Sequence, residues 1–260
     1  MSDLRVTLVQ SDLRWQDPVI NRNRLAAAIQ AELVEQGTTD LVVLPEMFTT
    51  GFTMDTTRSA ETMSGPTLYW MQELALATSA VICGSLIIEA DGLYYNRFLW
   101  MPPTGKPEYY DKRHLFRMAA EEQHYSAGDR LMTVQLKGWR VRPFICYDLR
   151  FPVWCRNRDD YDLMLLVASW PADRREIWQI LLQARAAENL SWLVAVNRVG
   201  QDANGIEYSG DSAVIDPQGQ TVFAGGKVEM TRTVTLSRIE LDRWRELFPA
   251  HLDADDFTLE

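Results

Sequence analysis

Apolar and polar positions alternate over Leu4 to Gln10, with Leu4, Val6 and Leu8 set against Arg5 and Thr7, a two-residue period that predicts a strand. Asp17-Pro18 then supplies a capping side chain followed by a residue suited to a first helical turn. Leu25, Ile29 and Leu33 recur every four residues up to Gly37, which predicts an amphipathic helix packed on one side. Leu41-Val42-Val43-Leu44 is uninterrupted apolar sequence, as in a strand buried on both faces, and it stops at Pro45 with Glu46 next. Residues 47–65 read as a loop, and Pro66 opens a helix through about Thr78. Ala80 to Glu89 and Leu93–Met101 are strands joined at the Asp91-Gly92 hairpin signal, and Pro107–Asp111 is a short strand with Lys112 just past it.

The second half repeats this alternation. Residues 113–130 form a long irregular loop, and Leu131–Leu136 and Val141–Ile145 are strands joined at Lys137-Gly138. Cys146 follows the second of these directly, with a helix near 152–158 beyond it. Leu163–Val167 is another buried strand, ending at Ser169-Trp170-Pro171. Asp173 is placed to cap a helix carrying Ile177, Ile180, Leu181 and Ala184 on one face, followed by a strand at Leu193–Val196. Strands near 206–215, 220–224 and 228–236, a short helix from about Ile239 and an acidic tail close the chain. Strand–helix alternation with inserted hairpins predicts a layered α/β protein of mixed sheet pairing, one domain over residues 1–260.

Composition narrows the class without fixing it. A 260-residue chain with net charge −10 and interspersed acids and bases argues against a nucleic-acid surface. Three cysteines, Cys83, Cys146 and Cys155, lack framework or metal-pair spacing, which points to reduced thiols and a cytoplasmic protein. The N-terminal sequence has no signal-peptide pattern, and no apolar run is long enough to span a membrane.

The candidate chemistry is positional. Glu46, Lys112 and Cys146 each follow a predicted strand at its C-terminal end, the edge where ligand sites gather in α/β sheets. Carboxylate, ammonium and thiol together make a hydrolytic set: Glu46 to take the thiol proton, Lys112 and the Tyr147 backbone N–H to face a tetrahedral oxyanion. The strand–turn–helix setting of Cys146 also predicts a lowered thiol pKa. Taken singly, Cys146 reads more simply as a small buried hydrophobe, Glu46 as a loop charge and Lys112 as a solvated lysine. Histidines 114, 124 and 251 offer no convincing Cys–His pair, and no phosphate loop or dinucleotide fingerprint is present.

Leu-Pro-Glu-Met-Phe (44–48), Tyr-Asp-Lys-Arg-His-Leu-Phe (110–116) and Ile-Cys-Tyr-Asp-Leu-Arg-Phe-Pro (145–152) resemble, in order and spacing, the three signatures of the nitrilase superfamily of carbon–nitrogen hydrolases. Gln183 to Asn189 fits the same pattern, and the resemblance runs from about Val6 to about Ile239. It implies a four-layer α-β-β-α sandwich, a Glu46–Lys112–Cys146 triad of base, oxyanion stabiliser and nucleophile, no cofactor, no metal, and a homodimer or higher homo-oligomer. A second active-site glutamate is implied seven residues before Gly128, at Glu121, with adjacent Glu122 one register step away. His-Leu-Phe-Arg-Met and Ser-Trp-Pro look most like the superfamily's bacterial omega-amidases, which act on 2-oxoglutaramate or 2-oxosuccinamate. A small-molecule substrate with a remote carboxylate calls for a cation, and Arg117 and Arg150 are the candidates, Arg150 being also readable as a structural partner of Asp148 or a helix end. Phe116 and Trp170 are candidate pocket walls, and otherwise core. Alternatives on the same scaffold are a carbamoylase or a general aliphatic amidase and, more remotely, an inactive binding module.

Overall fold

The computed structural model describes residues 2–258. Its first half supplies β1 (Leu4–Gln10), α1 (Pro18–Gln36), β2 (Leu41–Val43), α2 (Thr56–Ser59), α3 (Pro66–Thr78), β3 (Val81–Ala90), β4 (Leu93–Met101) and β5 (Glu108–Asp111). Its second half supplies β6 (Val134–Leu136), β7 (Trp139–Ile145), α4 (Pro152–Cys155), β8 (Leu163–Ala168), α5 (Arg175–Asn189), β9 (Trp192–Asn197), β10 (Val199–Gln201), β11 (Glu207–Ser209), β12 (Ala213–Ile215), β13 (Thr221–Ala224), β14 (Met230–Leu236) and α6 (Arg238–Leu247). Two six-stranded sheets result, in the orders β14-β1-β2-β3-β4-β5 and β13-β12-β9-β8-β7-β6.

Each sheet has a parallel centre, β1-β2-β3 in one and β7-β8-β9 in the other, because crossovers carry the chain back between successive strands. Antiparallel strands then extend the edges. Leu4, Val6, Leu8, Val43 and Phe98 of the first sheet share one core with Val141, Leu165, Val194 and Val196 of the second, so the two sheets pack face to face. The other face of the first sheet, including Val42, Leu44, Ile82 and Leu99, packs on Leu25 and Ile29 of α1 and Leu68 and Met71 of α3. Trp178, Leu182 and Ala186 of α5 cover the second sheet. These are the layers of an α-β-β-α sandwich, and they place the C-terminal ends of β2, β7 and β8 at one edge of the sheet–sheet interface.

Several local expectations need correction. The run 206–215 is two short strands, β11 and β12, which pair with different neighbours, β10 and β9; Gly210 and Asp211 between them take positive φ, which no continuous strand tolerates. The helix expected near 152–158 is the single turn α4. Asp173 does not cap α5, since a 3₁₀ turn at Ala172–Arg174 intervenes and Arg174 holds the cap position. The face of α5 is also rotated from its expected setting: Trp178, Leu182, Arg185 and Ala186 are buried, whereas Ile177 and Ile180 are exposed. Arg185 earns that place by donating to the Leu149 carbonyl at 3.0 Å and pairing with Glu188, which apolar periodicity cannot register. No helix among the described residues is long and apolar enough to cross a membrane.

Buried Asp162, just before β8, fastens α6 to the second sheet. It accepts from Arg140 at 2.8 Å, Arg245 at 2.7 Å and Arg238 at 3.2 Å. Burial alone would raise its pKa, but the hydrogen bonds and charge of Arg140, with the charge of Arg245, outweigh that and hold it at about 2. A carboxylate depressed below its ordinary value adds stability that is present above that value and is lost as pH falls through the folded one. Asp162→Asn is therefore expected to destabilise the protein at neutral pH by about 2 kcal/mol, less than for a fully buried pair because the arginines reach water. In denaturant unfolding, the gap from the parent should shrink as pH falls from about 4 towards 2; a gap independent of pH would show that Asp162 acts through packing alone.

Candidate active site

The segment carrying Glu46 is pinned to β3: Ser85 Oγ accepts from the Met47 N–H at 2.9 Å, and the Ser85 carbonyl accepts from the Phe48 N–H at 3.2 Å. Met47 takes φ 45°, so the chain turns sharply and leaves the Glu46 side chain fully buried. Lys112 lies just past β5 and opposite Asn96 of β4, whose carbonyl accepts the Lys112 N–H at 3.0 Å. The loop after Lys112 closes on itself, because the Gly128 N–H donates to the Lys112 carbonyl at 2.9 Å. A Cβ on Gly128 would run into the Asp111 backbone, so glycine is required at that crossing. Inside the loop, Ala120 at φ 54° turns Glu121 inward.

Three charges meet there. Lys112 Nζ lies 3.1 Å from Glu46 Oε1, and 3.0 and 2.9 Å from the two oxygens of Glu121. All three side chains are at most 1% exposed. Glu46 Oε2 also accepts from the Ser169 N–H at 2.7 Å, and Glu121 Oε2 from the Phe116 N–H at 2.6 Å. Burial alone would drive the Lys112 pKa down, but the charges of Glu121 and Glu46 outweigh it and the ammonium holds its proton more tightly than usual. Burial raises the pKa of Glu121, against the pull of Lys112.

Cys146 ends β7 with φ 42°, an uncommon conformation for a residue with a Cβ. The turn holding it is over-determined by Asp148, which is fully buried and accepts from the Ile145 N–H at 3.0 Å, the Tyr110 hydroxyl at 2.7 Å and the His114 N–H at 3.0 Å. Strain of this kind persists only where the surroundings fix it. The thiol itself departs from expectation. Its pKa is raised, because burial and the charge of Glu46 outweigh the ammonium of Lys112. A first turn rich in N–H groups does not overcome a carboxylate close by. Burial is the larger cause of that rise, and the charge of Glu46 adds to it.

Cys146 and Lys112 open on a cavity of about 380 Å³. Glu46 and Glu121 lie behind its wall. Phe116, Tyr147 and Trp170 line it as expected, together with Trp15, Phe52, Ile206 and Tyr208. Tyr147 meets Phe116 edge-on at 5.1 Å, so the Cys146 turn and the closed loop share one aromatic wall. Arg117 does not reach the cavity: its side chain is 83% exposed and 3.9 Å from Glu122, because the turn that brings half-buried Phe116 to the cavity points its neighbour outward. Arg150 does line the cavity, and it does not partner Asp148; its guanidinium lies over Trp170 at 4.9 Å. Arg174, which the sequence reading did not single out, lines it too, over Phe116 at 5.2 Å. Neither guanidinium pairs with a carboxylate among the described residues. Arg174 stands just before α5 on a segment whose other residues look like helix-start signals, and nothing in its local sequence marks it as facing a pocket.

Of the two glutamates one register step apart, Glu121 is the one that meets Lys112, while Glu122 is half-buried and leaves Oε2 without a partner.

The carbon-nitrogen hydrolase family model matches residues 5–247. The chain is 45% identical to Omega-amidase YafV of Escherichia coli K12 over 260 residues, covering 100% of both sequences. It is 28% identical to a 2-oxoglutaramate amidase of Bacillus subtilis over 253 residues, 95% of this chain and 96% of the other. Among solved structures, a CN-hydrolase superfamily protein of Xanthomonas campestris with an arsenic adduct in its active site superposes with a TM-score of 0.97 at 47% identity, covering 100% of both chains. Saccharomyces cerevisiae Nit3 shares the fold, with a TM-score of 0.85 at 24% identity over 95% of this chain and 94% of its own.

The two adjacent glutamates can be told apart by substitution. Glu121→Gln is expected to lower turnover by about 10²-fold, since it removes the charge that balances a buried ammonium, whereas Glu122→Gln should stay within about twofold of the parent. Equal losses in steady-state assays would contradict the distinction drawn from their contacts.

Proposed function

This chain belongs to the carbon–nitrogen hydrolase family, and we propose that its reaction is that of an omega-amidase, cleaving the terminal amide of 2-oxoglutaramate or 2-oxosuccinamate to the 2-oxo diacid and ammonia. One observation carries the choice of substrate: the cavity is lined by a thiol, an ammonium and two guanidiniums without carboxylate partners, whereas its lining carboxylates are engaged, Asp202 by the Tyr208 hydroxyl at 3.0 Å and Asp55 by Arg58 at 3.9 Å. The protein as a whole carries charge −10, so cations facing a pocket are the feature that favours an anionic ligand. A short acid with an amide at one end and a carboxylate at the other spans the thiol and the guanidiniums.

In this reading Cys146 is the nucleophile, Glu46 the general base and Lys112 the oxyanion stabiliser. Glu46 takes the Sγ proton as sulfur attacks the amide carbon, so thiolate forms without a change in the net charge of the buried group. The carbonyl oxygen becomes an oxyanion facing Lys112 and the Tyr147 N–H, a free donor in the first turn after the strand. Collapse of the intermediate breaks the carbon–nitrogen bond, with Glu46 returning its proton to the departing ammonia and leaving a thioester on Cys146. Glu46 then deprotonates a water that attacks the thioester carbon, the proton passes back to sulfur as the carbon–sulfur bond breaks, and the product acid gives its remaining proton to the released ammonia or to solvent. Glu121 holds Lys112 in place and charged. Arg150 and Arg174 bind the substrate carboxylate by charge-assisted hydrogen bonds, stacked on Trp170 and Phe116.

Purified protein is expected to release ammonia from 2-oxoglutaramate, and Cys146→Ala to abolish that release. Arg150→Ala and Arg174→Ala should each raise KM for this substrate by about tenfold or more, the worth of a charge-assisted hydrogen bond, while leaving turnover of a carboxylate-free aliphatic amide unchanged. If the carboxylate-free amide were turned over as well as 2-oxoglutaramate by the parent enzyme, the assignment of the arginines would fail.

A further inference from the structure

We propose that Asn96 is a positioning residue of this hydrolase site: its side-chain amide fixes Glu46 and Glu121 against Lys112 and thereby keeps Glu46 ready to accept the Cys146 proton. The proposal rests on the reading of Glu46 as base. Asn96 sits in β4 and is fully buried. Its Nδ2 donates to Glu46 Oε1 at 2.8 Å and lies 3.4 Å from Glu121 Oε1. Lys112 Nζ approaches those same two oxygens at 3.1 and 3.0 Å. One pair of carboxylate oxygens is therefore bridged twice, once by an ammonium and once by a neutral amide. The Asn96 carbonyl also accepts the Lys112 N–H, so a single residue anchors both the backbone of the lysine and the acceptors of its ammonium.

The orientation of the amide is dictated by its neighbours. Turned over, it would point Oδ1 at two carboxylate oxygens and forfeit both donor contacts. In the orientation it holds, Oδ1 is buried without a partner. Buried polar groups are nearly always satisfied, and an exception calls for a reason. A residue kept only for packing would not carry an orphaned acceptor, whereas one kept for its donors must. Asn96 does not line the cavity, so its influence passes through Glu46 and not through substrate. The charged and titratable groups that share this pocket of the core are Glu46, Glu121, Lys112, Cys146 and the Tyr125 and Tyr208 hydroxyls, with Asp55 beside Tyr125.

The test uses the full chain with Asn96→Leu, close in size and without a donor, and with Asn96→Asp. Hydrolysis of 2-oxoglutaramate and alkylation of Cys146 by iodoacetamide are each followed across pH. The alkylation readout needs no assumption about the natural amide, so it stands even if that substrate proves wrong. For Asn96→Leu, kcat should fall about 10²-fold with KM within about twofold, the signature of a displaced reacting group. The acidic limb of both profiles should move to higher pH by about one unit, because a carboxylate that loses a donor holds its proton harder. Asn96→Asp should recover activity only where the introduced carboxyl is protonated and again able to donate. A folded Asn96→Leu that loses melting temperature but keeps both limbs in place would overturn the proposal. If Asn96→Leu does not fold, an Asn96→Asp profile parallel to that of the parent would overturn it equally.

Discussion

The site depends on one arrangement, an ammonium buried between two carboxylates. Glu46 and Glu121 converge on Lys112 in a region where each group is at most 1% exposed. Two bare carboxylates at such depth would repel each other and lack solvation, and a bare ammonium would shed its proton. Together they are tolerated, with backbone N–H groups of Ser169 and Phe116 filling remaining acceptor positions. Burial, with the charge of Glu46 adding to it, raises the Cys146 pKa in spite of the lysine. A thiolate held at rest would place a further negative charge beside two carboxylates. Under the proposed reaction, a thiol that passes its proton to Glu46 only moves charge within that buried group.

The two sheets contribute unequal parts of this arrangement. Glu46, Asn96 and Lys112 come from the first sheet or its extensions, whereas Cys146 and Ser169 follow β7 and β8 of the second. The Ser169 N–H reaches across to Glu46, so the carboxylate is set by the sheet opposite its own. Asp148 performs the matching task behind Cys146: it joins the Cys146 turn to Tyr110 of β5 and His114 of the closed loop. The shared face of the sandwich is thus also what aligns Glu46 with Cys146, and an error in sheet packing would separate them. Under the proposed reaction, stability and catalysis draw on the same contacts.

What the sequence made legible follows from how local each signal is. Strand ends at Glu46, Lys112 and Cys146 stood out because apolar runs stop there abruptly, and the three motifs fixed the family pattern. Glu121 was legible only through the spacing to Gly128 that the family resemblance implies, and the structure shows that glycine to be required by a backbone crossing. Arg117 and Arg174 were not legible: which way a side chain points from a 3₁₀ turn depends on left-handed Ala120 in one case and on the unscheduled turn before α5 in the other. Asn96 was invisible for a different reason. In a strand buried from Asn96 to Met101 it is one more inward position, and only contacts with residues 50 and 25 positions away reveal its partners. The burial of Arg185 in α5 has the same origin, a carbonyl at Leu149 that no helical period encodes.

The cavity's electrostatic asymmetry gives a physical reason for substrate orientation under the proposed reaction. The carboxylates of Glu46 and Glu121 lie behind the wall that carries Lys112, while Arg150 and Arg174 line the cavity over Trp170 and Phe116, and its lining acids Asp55 and Asp202 are engaged by Arg58 and Tyr208. A carboxylate entering sulfur-first approaches that negative charge in a low-dielectric site, where such repulsion is poorly screened. The same molecule reversed presents a neutral amide to Cys146 and its charge to the arginines. Both arrangements bury the same apolar area, so hydrophobic contact cannot choose between them, and the choice falls to charge. The aromatic faces beneath the two guanidiniums restrict their motion and reduce the ordering needed to bind. Productive orientation is then selected by repulsion at one end as much as by attraction at the other.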